Sequence, residues 1–242
     1  MKFIDAKTNR IIREWRIVPK DGKEYFHDDY RYSYVRALEG WRVSVLDNKK
    51  EEYGLILESI AGKPIVSLAL TFVGCRSLKN APLIPKSVRK MNGAFLDCRE
   101  LTMPPVIPED MEDMSFAFSG CVSLVDAPAI PSNVVDMEST FADCRSLAKA
   151  PSVPSNVTNL AFTFSCCESL RHAPEIPRSV TNMEGTFEHC EALTGSVAIN
   201  ANPQNYDYCF IGVDFADQAL VLEGRSNMLA ELVKTGKNYR ES

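Results

Sequence analysis

Apolar residues along this chain fall into fixed columns. Phe72, Phe95, Phe118, Phe141, Phe164, Phe187 and Phe210 stand 23 residues apart. Three residues after the first six come Cys75, Cys98, Cys121, Cys144, Cys167 and Cys190, and three beyond those come Leu78, Leu101, Leu124, Leu147, Leu170 and Leu193. The unit reads F-x-x-C-x-x-L-x-x-x-P-x-[IV]-P-x-x-[VM]-x-x-[ML]-x-x-x. Identical residues at a fixed period want identical surroundings, and stacked coils supply them at about 4.8 Å per step across a parallel ladder. One coil cannot bury its apolar side alone, so the array folds as a unit. The ladder is expected at residues 157–160 and their equivalents, with F-x-x-C in the turn that follows. Prolines 82, 105, 128, 151 and 174, and again 85, 108, 131, 154 and 177, form two further columns. Having no N–H to give a ladder, they predict corners beside a very short strand, not docking motifs for a partner domain.

The ends lack the repeat and predict caps. Residues 1–60 are expected to form an N-terminal cap of strands plus one helix. Alternation over residues 2–5, 10–18 and 41–46 marks strands, and the helical spacing of Tyr53, Ile56, Leu57 and Ile60 marks the helix. The solenoid is assigned to 61–222. A C-terminal capping helix is assigned to 223–242, with Ser226 as its cap, Leu229, Leu232 and Val233 inward and Gly236 at its end.

The unit F-x-x-C-x-x-L followed by P-x-I-P-x-x-V-x-x-M resembles the BspA-like leucine-rich repeats, in their cysteine-containing bacterial variant. The resemblance covers about residues 60 to 222, and the segment from Leu193 to Phe210 is similar to that family's closing unit. It implies a right-handed leucine-rich-repeat-type β-solenoid of 23-residue coils. It also implies a role in binding proteins or surface glycans.

Composition narrows the function. A net charge of −5 over 242 residues argues against direct binding of nucleic acid. No stretch approaches the roughly 20 apolar residues of a membrane span. The first residues carry no apolar signal core, so a cytoplasmic location is expected. A chain separated from its leader would instead belong at the cell surface. Of the eight cysteines, six lie in the core column and should be reduced, structural thiols, while Cys166 and Cys209 lie off it. Stacking places Cys166 in a row with Asp143 and His189, which makes it the candidate reactive thiol: such a row holds a soft metal, lowers the thiol pKa, or is a solvated ladder of unrelated groups. No phosphate loop, nucleophile elbow or two-histidine metal motif occurs, so no enzyme activity, metal or cofactor is expected.

Two surface features remain. The coil 72–94 carries Arg76, Lys86, Arg89 and Lys90 with no acid, and the next carries Glu109, Asp110, Glu112 and Asp113. This basic band beside an acidic one either zips up within the rod or steers a charged partner. The position two before each Phe alternates large and small through Leu70, Gly93, Phe116, Ser139, Phe162 and Gly185. Either these interdigitate, or Phe116 and Phe162 form an exposed aromatic patch. The sequence thus predicts a non-enzymatic module that binds a protein, or a surface glycan, through one solenoid face. The alternative is an inhibitor encoded by a phage or mobile element that occupies a host defence or nuclease complex. The oligomeric state is left open.

Overall fold

The computed structural model describes residues 24–213 and, outside them, three short strand segments. Two of these, β1 (Phe3–Ile4) and β2 (Ile11–Ile12), pair antiparallel. The cap proper is a five-stranded sheet of β3 (Glu24–His27), β4 (Tyr30–Val35), β5 (Gly40–Val45), β6 (Ser59–Ile60) and β7 (Lys63–Ser67) in the order β3-β4-β5-β7-β6. β3, β4 and β5 run as an antiparallel meander, and β7 joins β5 in parallel. That parallel step converts the cap into the solenoid, because β7 also opens the ladder through the parallel bridge Ser67↔Lys90.

The helix expected over Tyr53–Ile60 does not form. Its apolar spacing reports burial: Ile56, Leu57 and Ile60 are all buried. The backbone between them, however, is held by tyrosines from β4. The Tyr30 hydroxyl donates to the Gly54 carbonyl at 2.8 Å, and the Leu57 N–H donates to the Tyr32 hydroxyl at 3.2 Å. Those groups are therefore engaged away from a helical ladder, and the segment runs on as an irregular strap into the β6–β7 hairpin. Among the described residues there is no α-helix, only a single 3-10 turn at Arg36–Leu38.

Beyond the cap, each coil touches the next through backbone at a few fixed points. Parallel bridges link Lys90, Asp113, Asp136, Asn159, Asn182 and Asn205 in one column, within the 157–160 region where the ladder is expected. They are single-residue bridges and not extended strands. A second column joins Asp126, Lys149 and His172. Between the bridges the chain turns tightly: the Cys121 N–H donates to the Phe118 carbonyl and the Leu124 N–H to the Cys121 carbonyl, both at 3.0 Å. A three-residue turn brings every third side chain to the same face, which is why Phe, Cys and Leu follow one another at that spacing.

The core is a set of ladders. Rings from Phe72 to Phe210 stack with centroids 5.1–5.8 Å apart and planes within 17° of parallel. Tyr30 and Tyr53 close the N-terminal end of this stack by meeting Phe72 edge-on at 6.2 and 5.2 Å. Each core thiol from Cys98 onward sits 3.1–3.2 Å from the carbonyl of the Phe in the preceding coil and donates to it. The thiol gives that carbonyl, which already accepts from the Cys N–H of its own coil, a second hydrogen bond. All the described cysteines are free, and burial pushes the column thiols upward. Threonines 140, 163 and 186, in the position before Phe, make the same contact one row over. Cys209 belongs to that threonine column and is buried there.

At the far end β8 (Ser196–Ile199) pairs in parallel with β9 (Val221–Gly224). The capping helix assigned to 223–242 therefore loses its first two residues to a strand, and the remainder lies outside the described residues.

Removing a ring from the middle of the stack tests whether the array holds as a unit. Phe141→Ala should cost about 3–5 kcal/mol, because the neighbouring rings cannot close a gap held open on both sides by backbone ladders. Urea unfolding that showed a loss below about 1 kcal/mol would mean the coils collapse into the space.

Candidate functional site

Two positions in every coil have left-handed backbone. Two residues before the stacked ring stand Leu70, Gly93, Phe116, Ser139, Phe162, Gly185 and Tyr208, with φ between 49° and 59°. Two residues after it stand Gly74, Asp97, Gly120, Asp143, Cys166, His189 and Gly212, with φ between 52° and 75°. The reason lies in the inter-coil bonding. At Phe116, Phe118 and Gly120 the N–H groups donate to the carbonyls of Glu138, Thr140 and Ala142 in the next coil at 2.7, 2.9 and 2.8 Å. Pointing alternate N–H groups the same way while the chain turns requires the left-handed residues that flank the ring.

Glycine fits such a position without cost, and a bulky residue does not. Leu70, Phe116, Phe162 and Tyr208 occupy it nevertheless, on alternate coils. Leu70 and Phe162 lean along the rod onto the glycine that follows each in the row. A methyl group placed on Gly93 would lie 2.7 Å from Leu70 Cδ2, and one on Gly185 would lie 2.4 Å from the Phe162 ring. Ser139, which follows Phe116, is buried. The large residues thus interdigitate with the small ones and still face solvent: Leu70 is 50% exposed, Phe116 39% and Tyr208 52%, with Phe162 half-buried. Phe116 and Phe162 are the two residues of this row singled out by sequence. Leu70 and Tyr208 complete it, and carrying the register one coil past Gly185 would have found Tyr208.

The charged bands meet in two ion pairs, Arg76 with Asp97 and Arg89 with Glu112. Arg76 Nε and Nη2 both donate to Asp97 Oδ2, at 3.0 and 2.9 Å, and Arg99 donates to Oδ1 at 2.7 Å. Arg99 foremost, with help from Arg76, holds the Asp97 carboxyl below its usual range. Arg89 lies 3.9 Å from Glu112. Arg89, Lys90, Asp110 and Glu112 line a cleft of about 570 Å³ against Leu38, Glu39 and Lys63 of the cap. Phe116 and Phe162 are not in it, so the structure does not bring the charged and aromatic candidates into one site. Glu109 and Lys86 are exposed and make no ion pair among the described residues. Asp113 turns inward to accept from the N–H and hydroxyl of Ser115.

The backbone that carries Cys166 is also left-handed, φ 57°. Its thiol is half-buried and 3.7 Å from the Ser165 hydroxyl. Burial foremost raises its pKa, opposed by the hydrogen bond from Ser165, with Asp143 and Glu188 adding to the rise and Arg145 pulling down. This direction runs against the lowered-pKa expectation for the row with Asp143 and His189. Among the described residues no cluster of ligating side chains could hold a metal.

Two measurements follow. Gly185→Ala should cost about 1–2 kcal/mol for the left-handed backbone, plus about 1–3 kcal/mol for the clash with the Phe162 ring. In a Phe162→Ala background the clash portion should vanish, and a strictly additive double-mutant cycle would refute the contact. Alkylation of Cys166 by iodoacetamide should rise with a pH midpoint above that of a free thiol, since its folded pKa is raised. A midpoint below that value would mean an activating partner.

No protein-family model matches the sequence, and no curated protein matches it. Solved structures do. A leucine-rich-repeat protein of T. pallidum shares 23% identity and a TM-score of 0.63, over 90% of this chain and 97% of its own. One from Bacteroides ovatus shares 23% identity with a TM-score of 0.64, and a leucine-rich cell surface protein of Faecalibacterium prausnitzii shares 20% with 0.59. These two matches cover 82% and 84% of this chain, which spans only 57% and 55% of their length. The chain is a repeat solenoid with the fold of bacterial leucine-rich-repeat proteins, in agreement with the resemblance of its repeat unit to BspA-like repeats.

Proposed function

We propose that this chain is a non-enzymatic binding module that holds a protein partner on the face marked by Leu70, Phe116, Phe162 and Tyr208. The reading takes the coils as right-handed, the hand that parallel crossover connections adopt almost without exception. The observation that carries it is the occupancy of a left-handed position by exposed, bulky side chains on every second coil. Covering the neighbouring glycine or serine needs far less than a phenylalanine. Exposed large aromatics on a rigid scaffold are the residues that dominate protein interfaces when a partner desolvates them. Strained backbone at an exposed site points the same way. The cell-surface description of the F. prausnitzii relative agrees with a binding role, as does the use solenoids make of one continuous face.

The test is comparative. Affinity enrichment from the native host, with the wild-type chain and a Phe116→Ala/Phe162→Ala variant in parallel, should recover a partner with the first and lose it with the second. The variant should keep a cooperative thermal transition. Equal recovery by both chains would place binding on another face.

A further inference from the structure

We infer that the partner presents a cationic amphipathic α-helix, laid along the rod across the row of Leu70, Phe116, Phe162 and Tyr208. This rests on the binding role proposed for that row and adds the chemistry of its occupant.

The first argument is spacing. Successive rings of the internal stack lie 5.1–5.8 Å apart, so side chains on alternate coils repeat at about 11 Å. An α-helix returns to the same face after seven residues, about 10.5 Å along its axis. Across the three gaps from Leu70 to Tyr208, about 33 Å in all, a helix of about 22 residues stays within about 2 Å of register. A polyproline helix repeats at about 9.3 Å and falls about 5 Å short over the same row. An extended strand returns to one face about every 6.7 Å and misses the first two gaps by about 2 Å each. The helix keeps the closest register with the row over its whole length.

The second argument is charge. The two columns beside the row, three and five residues before each stacked ring, hold Asp113, Asp136, Glu138, Glu184 and Asp207 against the single cation Lys90. None of these acids pairs with a cation among the described residues. Glu138 and Glu184 instead accept from the amides of Asn159 and Asn205 at 3.2 and 2.9 Å, which fixes the carboxylates and leaves their charge intact. On the far side of the row the situation is reversed. Asp97 is held by Arg76 and Arg99, and Arg145 reaches both Asp143 and Glu168. Arginines offset most of the acid on that margin, where Glu188 accepts from the Ser165 hydroxyl, whereas the near margin has no ion pair among the described residues. A partner seated on the row therefore meets net negative charge along one edge, and lysines or arginines on a helix flank complement it.

The probe is a 22-residue amidated peptide with leucine at every seventh position, flanking alanines, and lysine and arginine elsewhere. Its control is the same peptide with two central prolines. Fluorescence anisotropy with the full chain should show the helical peptide binding and the proline peptide binding at least tenfold more weakly. Circular dichroism should show helix gained on binding. Phe116→Ala/Phe162→Ala should weaken the complex on the order of thirtyfold. Glu138→Gln/Glu184→Gln keeps both amide contacts, so it should fold normally and weaken binding several-fold at low salt only. Equal binding of the two peptides, binding indifferent to both double variants, or no binding of either peptide would overturn the proposal. If host-partner enrichment still depends on Phe116 and Phe162 while the peptide fails, the row binds a different chemistry and the binding role stands. If both fail, the binding role falls with it.

Discussion

Every coil must hand its backbone hydrogen bonds to the next one across about 5 Å, and it has very few residues with which to do so. In a sheet, long strands share that work. Here the bridges are single residues, and the donors two before, at and after each stacked ring do the rest, as Phe116, Phe118 and Gly120 show. Alternate N–H groups can point along the rod within a tight turn only if the residues two before and two after the ring take positive φ. The turn fixes which side chains face inward, so the Phe, Cys and Leu ladders depend on it. The thiol and threonine columns then add a second hydrogen bond to carbonyls that the turn holds inside.

The periodicity made this core readable from sequence, because a buried column tolerates little variation within one chain. The phenylalanine stack, the reduced cysteines and the corner prolines are all consequences of a repeated environment. Periodicity helps less where the environment is unique. Tyr53, Ile56, Leu57 and Ile60 have the spacing of a helix face, yet that pattern records only which residues are inside. Hydroxyls of Tyr30 and Tyr32 engage the Gly54 carbonyl and the Leu57 N–H, and such long-range partners leave no mark on local spacing.

The candidate surface was half legible for a related reason. The alternation through Phe116 and Phe162 was visible, but the choice between interdigitation and exposure was not, and the two turn out to be compatible. A side chain in left-handed backbone leans over its neighbour and keeps its outer face in solvent. The charged bands misled in the opposite way. Arg76 and Arg89 stand out in a list of residues, but their guanidinium groups reach carboxylates one coil away. Acids that lack such partners, among them Glu138 and Glu184, lie scattered over separate coils and become a margin only when the coils stack.

The same step length produces two different periods in this molecule. Rings that point into the core lie flat on one another, and a spacing of 5.1–5.8 Å suits aromatic faces, so every coil carries one. Side chains at the outer left-handed position lie along the rod, and Leu70 and Phe162 fill the place that a Cβ on the next glycine would need, 2.7 and 2.4 Å away. Two large residues in succession are therefore excluded, and the surface period must be twice the core period. The distance between the large residues is set by this exclusion and not by the shape of a ligand. The rod thus presents a ruler of about 11 Å divisions fixed by its own packing, and a partner must match that spacing or bind elsewhere.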